Sequence, residues 1–298
     1  MTDTIRTRSL GTAVEGVPDQ YADGKAAKVW EIFIGDQNSR TKNYRDFLVN
    51  LLRKKGCKRI LDVACGTGVD SVMLLEEGFE VVSVDASDKM LKYALKTRWN
   101  RRKEPEFDNW VIEEANWLTL YDDIEQLRGE GFDAVICLGN SFAHMLDSFG
   151  DQREQKKAIS NFEKCLKPGG FLLIDHRNYD NIMHTGKTVA KSIYYNSNHM
   201  IDIKTHVMYT AGQPALVIFD YLVDTTSSFG KKDFIKESNI SEFRLSYYPH
   251  RLKVFNDMLL AVFGEKSNHE IYADFKSLNE IEDPNFYIHY IEKTDERK

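Results

Sequence analysis

The sequence predicts an α/β protein with a doubly wound, mainly parallel sheet, an antiparallel lobe inserted after it and an N-terminal arm before it. Three observations point there. Short apolar, β-branched runs alternate with helical stretches across residues 59–175, joined by short loops. The periodicity then changes, and 180–250 contains segments that alternate residue by residue, as hairpin strands do. The 298-residue chain is 42% hydrophobic and 29% charged, and its six prolines and lack of a Gly/Ser-rich tract mark no second independent module. The expected organisation is an arm over 1–20, a ligand-binding core over 21–178, the lobe over 179–250 and a return to the core over 251–298.

Residues 1–20 are polar and glycine-dotted, with Pro18, and read as an arm rather than a packed element. Between Tyr21 and Lys55, Val29, Ile32 and Phe33 form one helical stretch and Phe47, Leu48, Leu51 and Leu52 another, with a polar break at 35–40. Residues 59–64 form a short strand running into Cys65-Gly66-Thr67-Gly68, and a helix follows through Glu77 until Gly78 stops it. The next strand, 80–84, closes at Asp85; 88–95 is helical, 109–113 a brief strand and 133–138 a buried one. A helix over about 151–166 ends at Lys167-Pro168-Gly169-Gly170, read as a turn, before the apolar strand 171–175. Beyond Asn178, 201–209 and 216–223 predict hairpin strands, 251–263 an amphipathic helix and 285–291 a closing strand.

Several function classes fall away. No apolar run approaches the ~20 residues of a membrane span, and MTDTIRTRSLGTAVEG lacks the apolar core of a secretory signal. Cys57, Cys65, Cys137 and Cys165 are too few and too scattered for a disulfide framework, and no CxxC or HExxH spacing points to a metal. A net charge of −6 argues against a nucleic-acid binder. The basic run KTRWNRRK at 96–103 reads as a solvated helix end. The expectation is a reduced, cytoplasmic, globular protein with neither membrane nor nucleic acid as a partner.

In open α/β sheets, ligands sit beyond the carboxyl ends of the strands. Those positions here are 64–68, Asp85, Asn116-Trp117, 138–141 and 176–178. Gly66-Thr67-Gly68 lets backbone approach a ligand closely and opens a helix N-terminus. Asp85 is placed to accept hydrogen bonds from a ribose. The pair points to a nucleoside-containing cofactor. A dinucleotide fold wants G-x-G-x-x-G/A, where this chain has Ser71, which disfavours a nicotinamide dehydrogenase. Asp62 instead fits the D-x-x-x-G-x-G pattern of S-adenosylmethionine methyltransferases. That cofactor has no pyrophosphate to cradle, and its positive sulfonium and amino groups suit nearby carboxylates. Methyl transfer is the predicted chemistry.

Longer stretches make the likeness specific. DVACGTGVDS, VDASDKMLKYAL, IEEANWLTL, ICLGNSFAH, IDHRNYD and FRLSYYPH, with the arm segments RTRSLG and EGVPDQYADG, together resemble the glycine N-methyltransferase family. The resemblance covers nearly the whole chain and is weakest at 121–131, 147–165 and 224–240. It implies a Rossmann-like sheet, S-adenosylmethionine as cofactor without a metal, and glycine as substrate. Sarcosine and S-adenosylhomocysteine would be the products, made by a cytoplasmic homotetramer that regulates the cellular ratio of S-adenosylmethionine to S-adenosylhomocysteine. The implied step is a direct in-line displacement. No dedicated general base is evident, so activity is expected to rise toward alkaline pH.

Carried over residue by residue, the resemblance would have Asp85, with Ala86 beside it, bind the ribose. Ala64, Gly66 and Gly68 would face the methionine part, and Asn116 and Trp117 would hold the adenine. Tyr21, Trp30, Arg40 and Leu138 would complete the cofactor pocket, with Phe33, Ser141 and His144 as further candidates. His144 reads first as an ordinary helix residue, with a cofactor contact as the minority reading. Arg177 would pair with the glycine carboxylate, while the Gly139 carbonyl and Asn140 orient the amine. Tyr195, Tyr221, Tyr247 and Tyr21 would frame the small pocket, and Glu15 would reach into it from a neighbouring subunit. Without the resemblance, Arg177 is also compatible with a surface ion pair, and Tyr195, Tyr221 and Tyr247 with core packing. Adjacent in a strand, Asp175 and His176 point to opposite faces and form no dyad. Ser9, behind Arg6 and Arg8, has the basic flanks of a phosphorylation site. Phe33 stands where the family has a tyrosine, which suggests tuned rate or affinity. Ile5 and Ala215 replace a tyrosine and a histidine linked to inhibition by reduced folate, which counts against folate as an inhibitor here although Arg244 is retained. The rival readings are a methyltransferase for sarcosine or a macromolecule, and a cofactor-binding regulator without activity.

Overall fold

A computed structural model describes residues 25–189, 192–196, 199–224 and 240–294. The arm, with Ile5, Ser9, Glu15 and Tyr21, lies outside the described residues. In chain order the elements begin with α1 (Lys25–Ile34), α2 (Lys42–Lys54), β1 (Arg59–Asp62), α3 (Val69–Glu76), β2 (Glu80–Asp85) and α4 (Asp88–Asn100). The short α5 (Pro105–Asp108), β3 (Val111–Glu114), the short α6 (Leu120–Asp123) and α7 (Glu125–Arg128), β4 (Phe132–Cys137), α8 (Arg153–Cys165), β5 (Leu166–Arg177) and α9 (Tyr179–Thr185) follow. The lobe strands are β6 (Met200–Thr210), β7 (Gln213–Asp224) and β8 (Ile240–Tyr247); α10 (Leu252–Phe263), β9 (His269–Ala273), β10 (Lys276–Ser277) and β11 (Phe286–Glu292) close the chain.

The main sheet has eight strands in the order β10-β9-β11-β5-β4-β1-β2-β3. From β3 to β5 every pairing is parallel; β11, β9 and β10 join antiparallel at the other side. β6, β7 and β8 form a separate three-stranded antiparallel sheet. The expected doubly wound, mainly parallel sheet and its antiparallel lobe are thus both present. Among the described residues, no helix is long and apolar enough to cross a membrane.

Strand residues alternate between two cores. Ile60, Val81, Ile136 and Leu173 pack with α2 and α3, whereas Leu61, Val82, Val135 and Leu172 pack with α8 and α10. A third cluster joins Val29 and Phe33 of α1 and Tyr179 of α9 to Val217, Phe219 and Leu245 of the lobe. The connection between α1 and α2 is tied to the chain entering the lobe: Arg40 bridges Tyr195, and the Thr41 N–H donates to the Tyr194 carbonyl at 2.9 Å.

Four local expectations need correction. α4 runs on to Asn100, so the helix takes in the first five residues of the basic run, whose Trp99 is 65% exposed. β3 starts at Val111, two residues later than the pattern suggested. Lys167-Pro168-Gly169-Gly170 does turn, with Gly169 at φ +74°, but inside β5 rather than ahead of it, as an irregularity between the pairs Phe132↔Leu166 and Ala134↔Phe171. A Cβ on Gly170 would stand 2.9 Å from the Phe132 carbonyl oxygen, so this glycine serves a close backbone approach. The β9–β10 hairpin went unread because its two-residue turn is Asp274-Phe275, both at positive φ (47° and 69°), without the glycine that usually signals such a turn. Asp274 Oδ1 accepts from Phe286 N–H at 2.8 Å, and Phe275 packs on Tyr44 and Tyr194, so tertiary contacts stabilise the turn.

Candidate active site

A cleft with a cavity volume of about 120 Å³, partly open to solvent, lies over the carboxyl ends of β1, β2, β4 and β5. α1 and the lobe supply its other walls through Trp30, Tyr221 and Tyr247. This is the crevice expected between β1 and β4, where the strand order reverses.

The β1–α3 turn forms its floor. Gly68 takes φ +83° as the N-cap of α3, and a Cβ there would lie 2.7 Å from the Trp110 ring. Below the turn runs a buried chain of hydrogen bonds: Trp110 Nε1–H to Ser83 Oγ, Ser83 Oγ–H to Ser71 Oγ and Ser71 Oγ–H to Asp62 Oδ2, each 2.8 Å. Ser71 therefore uses the third motif position to hold Asp62, a job glycine could not do. Burial pushes the Asp62 carboxyl up to about 7. Asp85, at the end of β2, accepts from Gly66 N–H at 2.8 Å and from Ser87 N–H at 2.9 Å. Its carboxylate is oriented before any ligand arrives.

In the first turn of α3, Asp70 Oδ1 lies 2.7 Å from Arg40 Nε. Trp117 donates from Nε1 to the Val63 carbonyl at 2.6 Å and stacks on Phe142, which holds its ring at the cleft. His144 packs on Tyr247 with ring centroids 4.6 Å apart, and burial lowers its pKa to about 4.

The β4 and β5 ends converge on Arg177. Asp175 accepts from Gly139 N–H at 3.1 Å and Asn140 N–H at 2.8 Å, and Tyr194 donates its hydroxyl to the same carboxylate. Asn140, at φ +66°, turns its side chain back so that Oδ1 accepts from Arg177 N–H at 3.0 Å. The Arg177 guanidinium lies between the Phe219 and Phe286 rings, 5.2 and 4.9 Å from their centroids, and donates to Thr188 Oγ1 at 3.1 Å. Its Nε is buried without a hydrogen-bond partner, and among the described residues the guanidinium forms no ion pair. A recessed cation flanked by aromatic rings could receive an anionic group of a ligand. Beside it, the Tyr221 and Tyr247 hydroxyls share a 2.8 Å hydrogen bond, and Tyr195 stands edge-on to Phe33.

Of the residues singled out from sequence, Trp30, Arg40, Ala64, Gly66, Asp85, Ala86, Trp117 and Leu138 line the cleft, as do Gly139, Asn140, Ser141, His144, Arg177, Tyr195, Tyr221 and Tyr247. Gly68, Phe33 and Asn116 lie just outside the lining: Gly68 against Trp110, Phe33 between Trp30 and Tyr195, and Asn116 with its Oδ1 on the Leu118 N–H. Sequence reasoning missed Asp70, Met90, Ser192 and Tyr194, which also line it. Asp70 could have been found, since it sits in the first turn of the helix that Gly68 opens. Ser192 and Tyr194 had no local signal, because the long-range bridge to Arg40 brings their segment in.

The donor set suits S-adenosylmethionine. A glycine turn with open backbone, a pre-oriented carboxylate for hydroxyls, an indole for a base and further carboxylates for positive groups face one cleft. A methyltransferase-domain family matches residues 54–225. Mouse glycine N-methyltransferase is 56% identical over 99% of this chain and 100% of its own length. A glycine/sarcosine N-methyltransferase from Halorhodospira halochloris is 34% identical over 92% of this chain and 89% of its own. A solved S-adenosylmethionine-dependent methyltransferase from Clostridium acetobutylicum shares the fold at TM-score 0.63 and 16% identity, covering 91% of this chain and 99% of that one.

Proposed function

The chain belongs to the glycine N-methyltransferase family, and from that premise we propose that it transfers the methyl group of S-adenosylmethionine to the amine of glycine, giving sarcosine and S-adenosylhomocysteine. When bound, S-adenosylmethionine supplies an electrophilic methyl on a sulfonium that leaves as a neutral thioether, so no covalent enzyme intermediate is needed. Asp85 would accept from the ribose hydroxyls, Trp117 would cover the adenine, and the Gly66 turn with Arg40 and Asp70 would hold the amino-acid end. Arg177 would take the glycine carboxylate, and the turn at Gly139 and Asn140, held from below by Asp175, would aim the amine. The enzyme's task is positioning. The single observation that supports this reading most is the recessed Arg177 guanidinium, which has no anionic partner among the described residues.

Arg177→Ala tests it. Glycine turnover at subsaturating glycine is expected to fall about 100-fold or more, the scale of losing paired charge-assisted hydrogen bonds. S-Adenosylhomocysteine affinity, measured by calorimetry, is expected to stay within about threefold of wild type because Arg177 would serve only the substrate. An equal loss of both would assign Arg177 to the cofactor instead.

Among the described residues, the phenols and the imidazole of the cleft offer the amine no effective base. Burial pushes the Tyr195 phenol up to about 12 and raises Tyr221, so both stay protonated, while His144 near 4 is too weak. Asp175 lies under the turn with its oxygens already bonded. The amine must therefore lose its proton on or before binding. kcat/KM for glycine is expected to rise from neutral to alkaline pH, and a flat profile would contradict this.

The reading extends to a cytoplasmic homotetramer in which Glu15 reaches a neighbouring cleft, and to a role in setting the ratio of S-adenosylmethionine to its product; the likeness of the arm and the lobe supports it. Reduced folate is not expected to inhibit, given Ile5 and Ala215. Arg244 is paired with Asp220 at 2.6 Å.

A further inference from the structure

Behind Arg177, on the face of the main sheet away from the cleft, three imidazoles from neighbouring strands touch in sequence. His176 of β5 and His289 of β11 meet through their Nε2 atoms at 3.1 Å. His289 Nδ1 meets His269 Nε2 of β9 at 3.0 Å. His176 Nδ1 lies 2.8 Å from the carbonyl oxygen of Arg177. The α10 side chain Phe255 covers His176 and His289, with centroids 4.7 and 5.0 Å away, and His250 packs alongside. None of these histidines lines the cleft.

One carbonyl determines every proton in this row. The Arg177 oxygen can only accept, so His176 carries its proton on Nδ1 and leaves Nε2 as an acceptor. His289 must then donate from Nε2 and accept at Nδ1, and His269 must donate from Nε2. Every contact is satisfied once, with all three rings neutral. An added proton on His176 or His289 would turn two N–H groups toward each other inside an apolar layer. In keeping with this, burial lowers His176 to about 4, and burial with its imidazole neighbours takes His289 well below the usual histidine range. Arg177 is thus held at both main-chain polar groups by side chains: its N–H by Asn140 Oδ1 and its carbonyl by His176.

We propose that His176, His289 and His269 form a tautomerically locked imidazole ladder that positions Arg177 for the substrate carboxylate, His176 and His289 being positioning residues that touch neither substrate nor cofactor. The inference rests on the reading of Arg177 as the carboxylate receptor. A purely space-filling role predicts that a phenyl ring at 289 serves well in this apolar layer. The ladder predicts otherwise, since phenyl removes the donor that locks His176.

The test uses the full-length enzyme. His289→Phe is expected to raise KM for glycine about five- to tenfold, with kcat and S-adenosylhomocysteine affinity within about twofold of wild type. His289→Gln, which keeps an N–H toward His176 Nε2, is expected to bring KM back to within about twofold of wild type. Unchanged KM in His289→Phe, no rescue by His289→Gln, or a matching loss of cofactor affinity would overturn the ladder. Arg177→Lys is the reference. If it leaves KM for glycine unchanged, the premise about Arg177 fails; if it raises KM while His289→Phe does not, only the ladder fails. Should His289→Phe not fold, nitrogen NMR of histidine-labelled wild type decides. The expected pattern is an Nδ1–H tautomer at His176 and Nε2–H tautomers at His289 and His269; any other set, or an imidazolium among them at neutral pH, overturns the proposal.

Discussion

Asp85 illustrates how a residue becomes a site through what it has already bonded. Each of its oxygens accepts one main-chain N–H, from Gly66 and Ser87, so its remaining lone pairs are aimed without further ordering. Asp85→Ala is expected to weaken S-adenosylhomocysteine binding by about 1.5–3 kcal/mol, the worth of hydrogen bonds to a charged group. Calorimetry would measure it, and unchanged affinity would place the ribose elsewhere. Asp85 and Arg177 were legible because each follows a buried apolar run. Asp175 was not, because its function lies in bonds to a turn 35 and 36 positions earlier in the chain. Ser71 was read as a missing glycine, whereas its hydroxyl is the reason the position is not glycine.

Among the elements, the β1–α3 turn is the most exacting. At φ +83°, Gly68 needs a left-handed backbone and has an indole where a Cβ would go. Gly68→Ala is expected to cost about 2–4 kcal/mol, combining the backbone penalty with overpacking. A thermal midpoint equal to wild type would show that Trp110 can move aside. Period-2 and apolar-run signals located the main-sheet strands through β5 and the first lobe hairpin, because burial on one or both faces writes itself into the sequence. Signals from turn residues were less dependable. Lys-Pro-Gly-Gly is legible as a turn but not as part of β5, where Gly170 allows two strands to meet closely, while Asp274-Phe275 makes a reversal without glycine. In both cases the deciding contact is distant in sequence: Phe132 for the first, Asn285 and Phe286 for the second.

Across the whole molecule, buried ionisable groups bias stability in opposite directions with pH. His250 is held neutral, well below its usual range, by burial and by His176. The unfolded chain takes up its proton below about 6.5 while the folded chain does not, so this contribution is full above that pH and is lost as pH falls. Asp62 and Asp175, pushed up to about 7 by burial, act in the opposite sense, since the folded chain binds their protons first. Comparing wild type with His250→Phe isolates the histidine. The stability gap is expected to shift in favour of the variant by about 1.4 kcal/mol for each pH unit below about 6.5. A gap constant from pH 7 to 5 would mean that His250 takes up its proton in the fold as readily as in the unfolded chain. At this scale the residue patterns revealed the layered sheet and the lobe over it, while the joining of α1, the lobe and β5 around one guanidinium was legible only through the family resemblance. On the proposed reading that arrangement would restrict the substrate to a small amine bearing a carboxylate, and substrate choice tests it most directly. The purified protein should be given S-adenosylmethionine with glycine, sarcosine or glycinamide, and methyl transfer measured for each. The account predicts that glycine is converted to sarcosine and that glycinamide, lacking the carboxylate, is methylated at most weakly. Comparable kcat/KM for glycinamide, or no transfer to glycine, would contradict it.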